Sequence, residues 1–222
     1  GVLFDGVKSY FQNPNFINVG NLESVITLDT STPHLGYETC KIVFHSCPEI
    51  VPELVDVDFD FLNLGNNHVL DYMSNGIIST NLYLNDVGIA YGGSGLDSLS
   101  ACAPSSIVND EGVEIIFLSS SSVNGEDEGD ICEPILTAGD NSPGFCAMTE
   151  QSIDNQMNYL DSNNDSSIVV YQMHTGYEYS FEPSERMNSS YEYNPFINSL
   201  TDRTIEMAHY AVDAGADIVV QH

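Results

Sequence analysis

Along the chain, short unbroken apolar runs alternate with segments of helical periodicity. Residues 59–64 read as a buried strand, and a helix follows from about Asn75 to Val87, with Ile78 and Leu82 on one face and Gly88 as its stop. Short strands are expected near "GIAYGG" and "VEIIFLSS". Residues 150–160 fit a second helix, because Ile153, Met157 and Leu160 fall at spacings of four and three and Thr149 is available as N-cap. Ser167 to Met173 is a strand; a third helix covers roughly Ile197 to Ala214, ends at Gly215 and leads into "ADIVVQ". Strand, helix, strand in this order predicts βαβ units and a largely parallel sheet.

The pattern breaks between about residues 119 and 147, which read as a surface insertion in a single domain spanning 1–222. The cluster Glu126-Asp127-Glu128-Gly129-Asp130 in it reads as a solvated acidic loop in preference to a calcium site. Asp56, Asp58 and Asp60 resemble the start of a calcium loop, but Phe61 stands where such a loop needs glycine. Their alternation with Val57 and Phe59 reads as strand onset instead.

Charge narrows the function classes. Four Lys and Arg stand against 33 Asp and Glu, a formal net charge of −29. Nucleic acids and anionic membrane surfaces are bound by neutralising Lys and Arg, so no nucleic-acid partner is expected and anionic membrane surfaces are disfavoured. An extracellular or saline habitat, in which an acidic surface stays hydrated, explains the imbalance better than a functional role does. No apolar run approaches the roughly 18 residues of a membrane span. A start at Gly1 is that of a processed or truncated chain.

The five cysteines lack C-x-x-C spacing, so disulfides and plain buried thiols compete, with disulfides favoured. Cys132 and Cys146 bracket one loop and Cys40 and Cys47 another; both are places where a staple would help, and the fifth, Cys102, is unassigned. Asn164-Asp165-Ser166 and Asn188-Ser189-Ser190 are glycosylation triplets compatible with export.

Three expected strands end alike: 59–64 in Asn66-Asn67-His68, 167–173 in His174, and 217–221 in His222. Ligands of a parallel sheet bind outside the carboxyl ends of its strands, so these groups should converge on one edge. Asn21 and Glu23 follow another short apolar run. Imidazoles, amide oxygens and carboxylates together form a borderline-to-hard donor set suited to Mn, Fe or Zn in a two-metal hydrolytic site.

"NLES" at 21–24, "LGNNHVLDYMSNGIISTNLYLNDVGIAYGGSG" at 64–95, "HTGYEY" at 174–179 and "AVDAGADIVVQH" at 211–222 resemble successive motifs of the capsule-synthesis CapA (poly-γ-glutamate synthesis) proteins. The resemblance covers most of the chain and implies an α/β fold, specifically a calcineurin-like four-layer α/β/β/α sandwich. It also implies Glu23, Asn67, His174 and His222 as metal ligands and His68 as the group acting on a phosphoryl oxygen or leaving group. Asp71 would orient His68, Asn21 and Asn66 would support the ligands, and Glu178 would be a further ligand or a support. Two divalent cations and an anionic polymer or phosphoester substrate follow from it. The family's opening Gly-Asp and closing His-Pro-His motifs are missing, so a domain truncated at both ends is expected, and Thr175 stands where an aromatic is usual. The competing reading is a non-catalytic extracellular subunit of a surface layer, filament or adhesion assembly, or a homo-oligomer, that reuses the fold.

Overall fold

A computed structural model describes residues 3–31, 33, 43–122, 136–160, 167–175 and 195–222, with side chains of the last helix described from residue 203 onward. In chain order its strands are β1 (Asn18–Asn21), β2 (Val25–Ile26), β3 (His45–Ser46), β4 (Phe59–Asn63), β5 (Ala90–Gly92), β6 (Ser94–Gly95), β7 (Ser105–Val108), β8 (Glu114–Ser121), β9 (Gly144–Phe145), β10 (Ile168–His174) and β11 (Ile218–Gln221). The helices are α1 (Lys8–Phe11), α2 (Val51–Asp56), α3 (Met73–Val87), α4 (Ser98–Ala101), α5 (Glu150–Tyr159) and α6 (Pro195–Ala214).

Two sheets carry the architecture. One has the order β1-β4-β5, all parallel. The other has the order β11-β10-β8-β7, parallel except for β7, which runs antiparallel to β8. The expected mixed α/β class and βαβ units are therefore present, with α3 making the crossover from β4 to β5 and α6 the crossover from β10 to β11.

Side-chain alternation along the strands divides the core into layers. Phe61, Ile115, Phe117 and Val170 meet between the two sheets, with Val19 and Val220 beside them. Phe61 stacks on Phe117 at 4.1 Å between ring centroids. On the far side of the first sheet, Leu62 and Leu64 pack with Leu84 of α3 and Val51 and Leu54 of α2. On the far side of the second, Ile116, Leu118, Val169, Tyr171 and Met173 pack with Ile153 of α5 and Met207 and Ala211 of α6.

Local chemistry sets the helix limits. Gly88 adopts a left-handed φ of 77° and its N–H reaches back to the carbonyls of Leu84 and Asn85, closing α3 where the sequence places its stop. Thr149 caps α5 by accepting the Ser152 N–H at 3.1 Å. Ile153, Met157 and Leu160 face the core together, as their spacing predicts.

The sequence reading is corrected in four places. Ile78 and Leu82 share a face of α3, but it is the exposed one. The buried face is Gly76, Ile77, Thr80 and Leu84. Gly76 lets the Val25 side chain approach, and Thr80 accepts the Ile26 N–H at 2.8 Å. Small and polar residues thus dock β2, which a count of large apolar residues overlooks. Cys146 pairs with Cys102 rather than Cys132, and Cys47 is a free, exposed thiol. The irregular stretch expected from 119 to 147 is shorter at both ends, because Ser119–Ser121 complete β8 and Leu136, Phe145 and Cys146 are buried. Asp56 closes α2 instead of opening a strand, which starts at Phe59 after Asp58 has turned the chain at φ 60°. The Glu126–Asp130 cluster, Cys40, Cys132, Glu178 and both glycosylation triplets lie outside the described residues.

Candidate metal centre

The layer between the sheets is apolar through most of its depth and polar at the carboxyl ends of the strands. Two residues beyond each apolar contact, on the same strand face, the sequence turns hydrophilic: Val19 to Asn21, Phe61 to Asn63, Phe117 to Ser119, Val170 to Gln172 and His174, Val220 to His222. Five strands thereby deliver polar side chains to one edge. The register places Gln172 opposite Ser119 and His174 opposite Ser121, with β11 on the other side of β10.

At the centre, His174 Nε2 lies 2.9 Å from Asn67 Oδ1 and 4.0 Å from Glu23 Oε1. Burial, with smaller contributions from nearby His222 and His68, pushes the His174 imidazole down to about 4, so the ring is neutral near pH 7. Its Nδ1 is buried and has no partner. A neutral imidazole nitrogen, an amide oxygen and a carboxylate oxygen form a donor set of the borderline-to-hard kind. No group of three or more His, Cys, Asp or Glu side chains suited to a cation occurs among the described residues; the cluster around His174 reaches three donors through the Asn67 amide.

An amide network fixes the loops that carry these donors. Asn21 Oδ1 accepts from Asn63 Nδ2 at 3.1 Å and from Asn66 Nδ2 at 3.4 Å, while Asn21 Nδ2 donates to Glu23 Oε2 at 3.4 Å. Asn66 also donates to the Leu22 carbonyl at 2.9 Å and accepts the His68 N–H at 3.1 Å. The turn after β4 is locked from the β5 side by Gly93, whose φ is 94°. A Cβ there would stand 2.7 Å from both Gly65 N and Ser119 Cβ and 2.9 Å from Asn63 Oδ1. Gly93→Ala is therefore expected to cost about 2 kcal/mol, from left-handed backbone strain with crowding added, read as a lower urea midpoint.

His68 Nδ1 is 2.8 Å from Asp71 Oδ2, and Asp71 Oδ2 also accepts the Phe44 N–H. The Phe44 ring stacks on the imidazole at 4.1 Å. With Nδ1 engaged, Nε2 is the nitrogen free to exchange a proton. His68 lines the same depression as Glu23 and Asn66.

The fold thus brings Asn21, Glu23, Asn66, Asn67, His68, Asp71 and His174 together. His222 is beside them, and its Nε2 is bound to Gln172 Oε1 at 2.7 Å. Thr175 is buried and continues a hydroxyl chain, 2.7 Å to Ser122 and 3.0 Å to Thr204. Sequence reasoning missed Asn63, Phe44 and Gln172. Gln172 carried a readable signal, a long amide within the apolar run "IVVYQM" and two residues before His174.

Relatives share this chain almost end to end. The PGA biosynthesis protein CapA of Bacillus subtilis (strain 168) is 26% identical over 220 residues, 99% of this chain and 50% of that protein. The capsule biosynthesis protein CapA of Bacillus anthracis is 25% identical over 222 residues, 99% of this chain and 47% of that protein. The chain spans about half the length of these relatives. Residues 2–193 match the family described as bacterial capsule synthesis protein PGA_cap, and the chain belongs to that family.

Proposed function

We propose that the cluster around His174 is a divalent-metal site for Mn, Fe or Zn, completed by a second ion. On this reading the protein is a metal-dependent, phosphoesterase-like member of the capsule and poly-γ-glutamate synthesis family, acting outside the cell in making or anchoring an acidic polymer. The observation that carries the reading is the 2.9 Å separation of His174 Nε2 and Asn67 Oδ1 with Glu23 at 4.0 Å. Two donors about 2.1 Å from one cation and at right angles stand about 3 Å apart, so the pair fits a shared ion. Ligation through His174 Nε2 places the ring hydrogen on Nδ1, which is buried and has no hydrogen-bond partner. Two facing sheets with helices on both outer sides support the calcineurin-like form of the fold. The acidic composition and the Cys102–Cys146 disulfide support an extracellular setting.

Glu23, Asn67, His174 and His222 would hold the ions, which when bound supply positive charge for the phosphoester and lower the pKa of a water molecule. Asn21, Asn63 and Asn66 keep the ligand loops in register through their amide hydrogen bonds. His68, held at Nδ1 by Asp71, would donate a hydrogen bond or a proton from Nε2 to an oxygen of the substrate.

Elemental mass spectrometry of the purified chain tests this. Near-stoichiometric Mn, Fe or Zn is expected, falling at least tenfold in an Asn67→Ala, His174→Ala double variant. Hydrolysis of bis-p-nitrophenyl phosphate should fall with it. A protein that stays metal-free after incubation with each ion would overturn the catalytic reading in favour of a structural surface subunit.

A further inference from the structure

The buried amide of Gln172 has no evident use in the fold. Its residue is fully buried, and the two residues before it on the same strand face, Val170 and Ile168, are apolar. Its Nε2 has no hydrogen-bond partner, so the side chain brings an unmet donor into the layer between the sheets. A methionine of similar length would fill the space without that liability. What the amide does make is one short contact, Oε1 to His222 Nε2 at 2.7 Å. In this orientation the amide oxygen accepts and His222 Nε2 donates, which leaves the ring's lone pair on Nδ1.

We propose that Gln172 is a positioning residue that sets the tautomer and orientation of His222 and so presents its Nδ1 as a ligand. The proposal rests on the metal reading of the site. His222 closes the last strand beside His174, with its backbone N–H bound to the Met173 carbonyl at 2.8 Å, so its main chain is fixed. The ring is the part left to be oriented. Gln172 projects from β10, an interior strand, toward the same layer two residues before His174, which places one ligand and the support of another on a single rigid segment. The unmet Nε2 donor is the cost of placing an acceptor there.

The test uses the 222-residue chain labelled with 15N-histidine, with the His222 signals assigned by their loss in His222→Gln. In the metal-free chain, long-range proton–nitrogen spectra should give His222 as the Nε2–H tautomer. In Gln172→Met the tautomers should mix, Zn2+ affinity measured by titration calorimetry should fall about tenfold or more, and the melting temperature should hold or rise. Gln172→Glu keeps an acceptor in place and should keep the Nε2–H tautomer, which guards against a folding defect in the methionine variant. An Nδ1–H tautomer in the unaltered chain, or a Gln172→Met protein with unchanged tautomer and affinity, overturns the proposal while leaving the metal site standing. Absence of Zn2+ binding by the unaltered chain, with the Nε2–H tautomer present, overturns the metal reading and the ligand role with it.

Discussion

Replacing Phe61 with alanine is expected to destabilise the protein by about 3–5 kcal/mol, the range for a fully buried phenylalanine whose site cannot collapse. Phe61 is completely buried on β4, between the two sheets, and stacks on Phe117 with 13° between the ring planes. Collapse is resisted on both sides, because β4 is the middle strand of one sheet and Phe117 sits on β8, an interior strand of the other. Phe61→Leu keeps much of the buried area and should cost less, and the part lost with ring stacking is about 1 kcal/mol. Urea denaturation of the three proteins gives both differences. An alanine variant within about 1 kcal/mol of the unaltered protein would mean that the two sheets do not share this layer. The substitution also reaches the site, since Asn63 is two residues further along the same strand face and holds the Gly65 N–H at 3.2 Å.

The metal-free protein is expected to lose stability as the pH falls from 6.5 to about 4, by an amount on the order of 3 kcal/mol from His174 alone. Burial holds the folded imidazole down to about 4, whereas the ordinary value near 6.5 applies to the unfolded chain. Between those limits the unfolded state binds the proton and the folded state does not, so acid favours unfolding. The stability is fully present above 6.5 and is lost as the pH drops through the folded value. His222, also lowered by its burial, contributes in the same direction. Urea midpoints from pH 7.5 to 4.5, with chelator present, should slope downward in the unaltered protein and less steeply in His174→Gln. Carboxylates common to both proteins cancel in the comparison. Equal slopes would mean that His174 is solvated enough to titrate normally.

Much of the fold was legible because the signals are local. The run at 59–63, the Gly88 and Gly215 stops and the Thr149 cap each depend on residues within a few positions of one another. The gathering of the candidate residues was legible for a related reason. In a parallel sheet every strand presents its carboxyl end to the same edge, so strand ends at Asn66-Asn67-His68, His174 and His222 announce convergence before any distance is known. The buried face of α3 was not legible, because Gly76 and Thr80 dock β2 through a missing Cβ and a hydroxyl, features that hydrophobicity does not register.

By itself, then, the sequence determined the main strands and helices, their βαβ alternation and the edge on which the polar residues gather, since these follow from spacing along the chain. Only the tertiary structure decided which groups meet across it. Asn67 and His174 are 107 positions apart, His222 and Gln172 are 50, and Cys102 chooses Cys146 over 44. Those pairings are set by the packing of two sheets against each other, because the register of β10 against β8 and β11 and the stacking of Phe61 on Phe117 fix where each strand end stops.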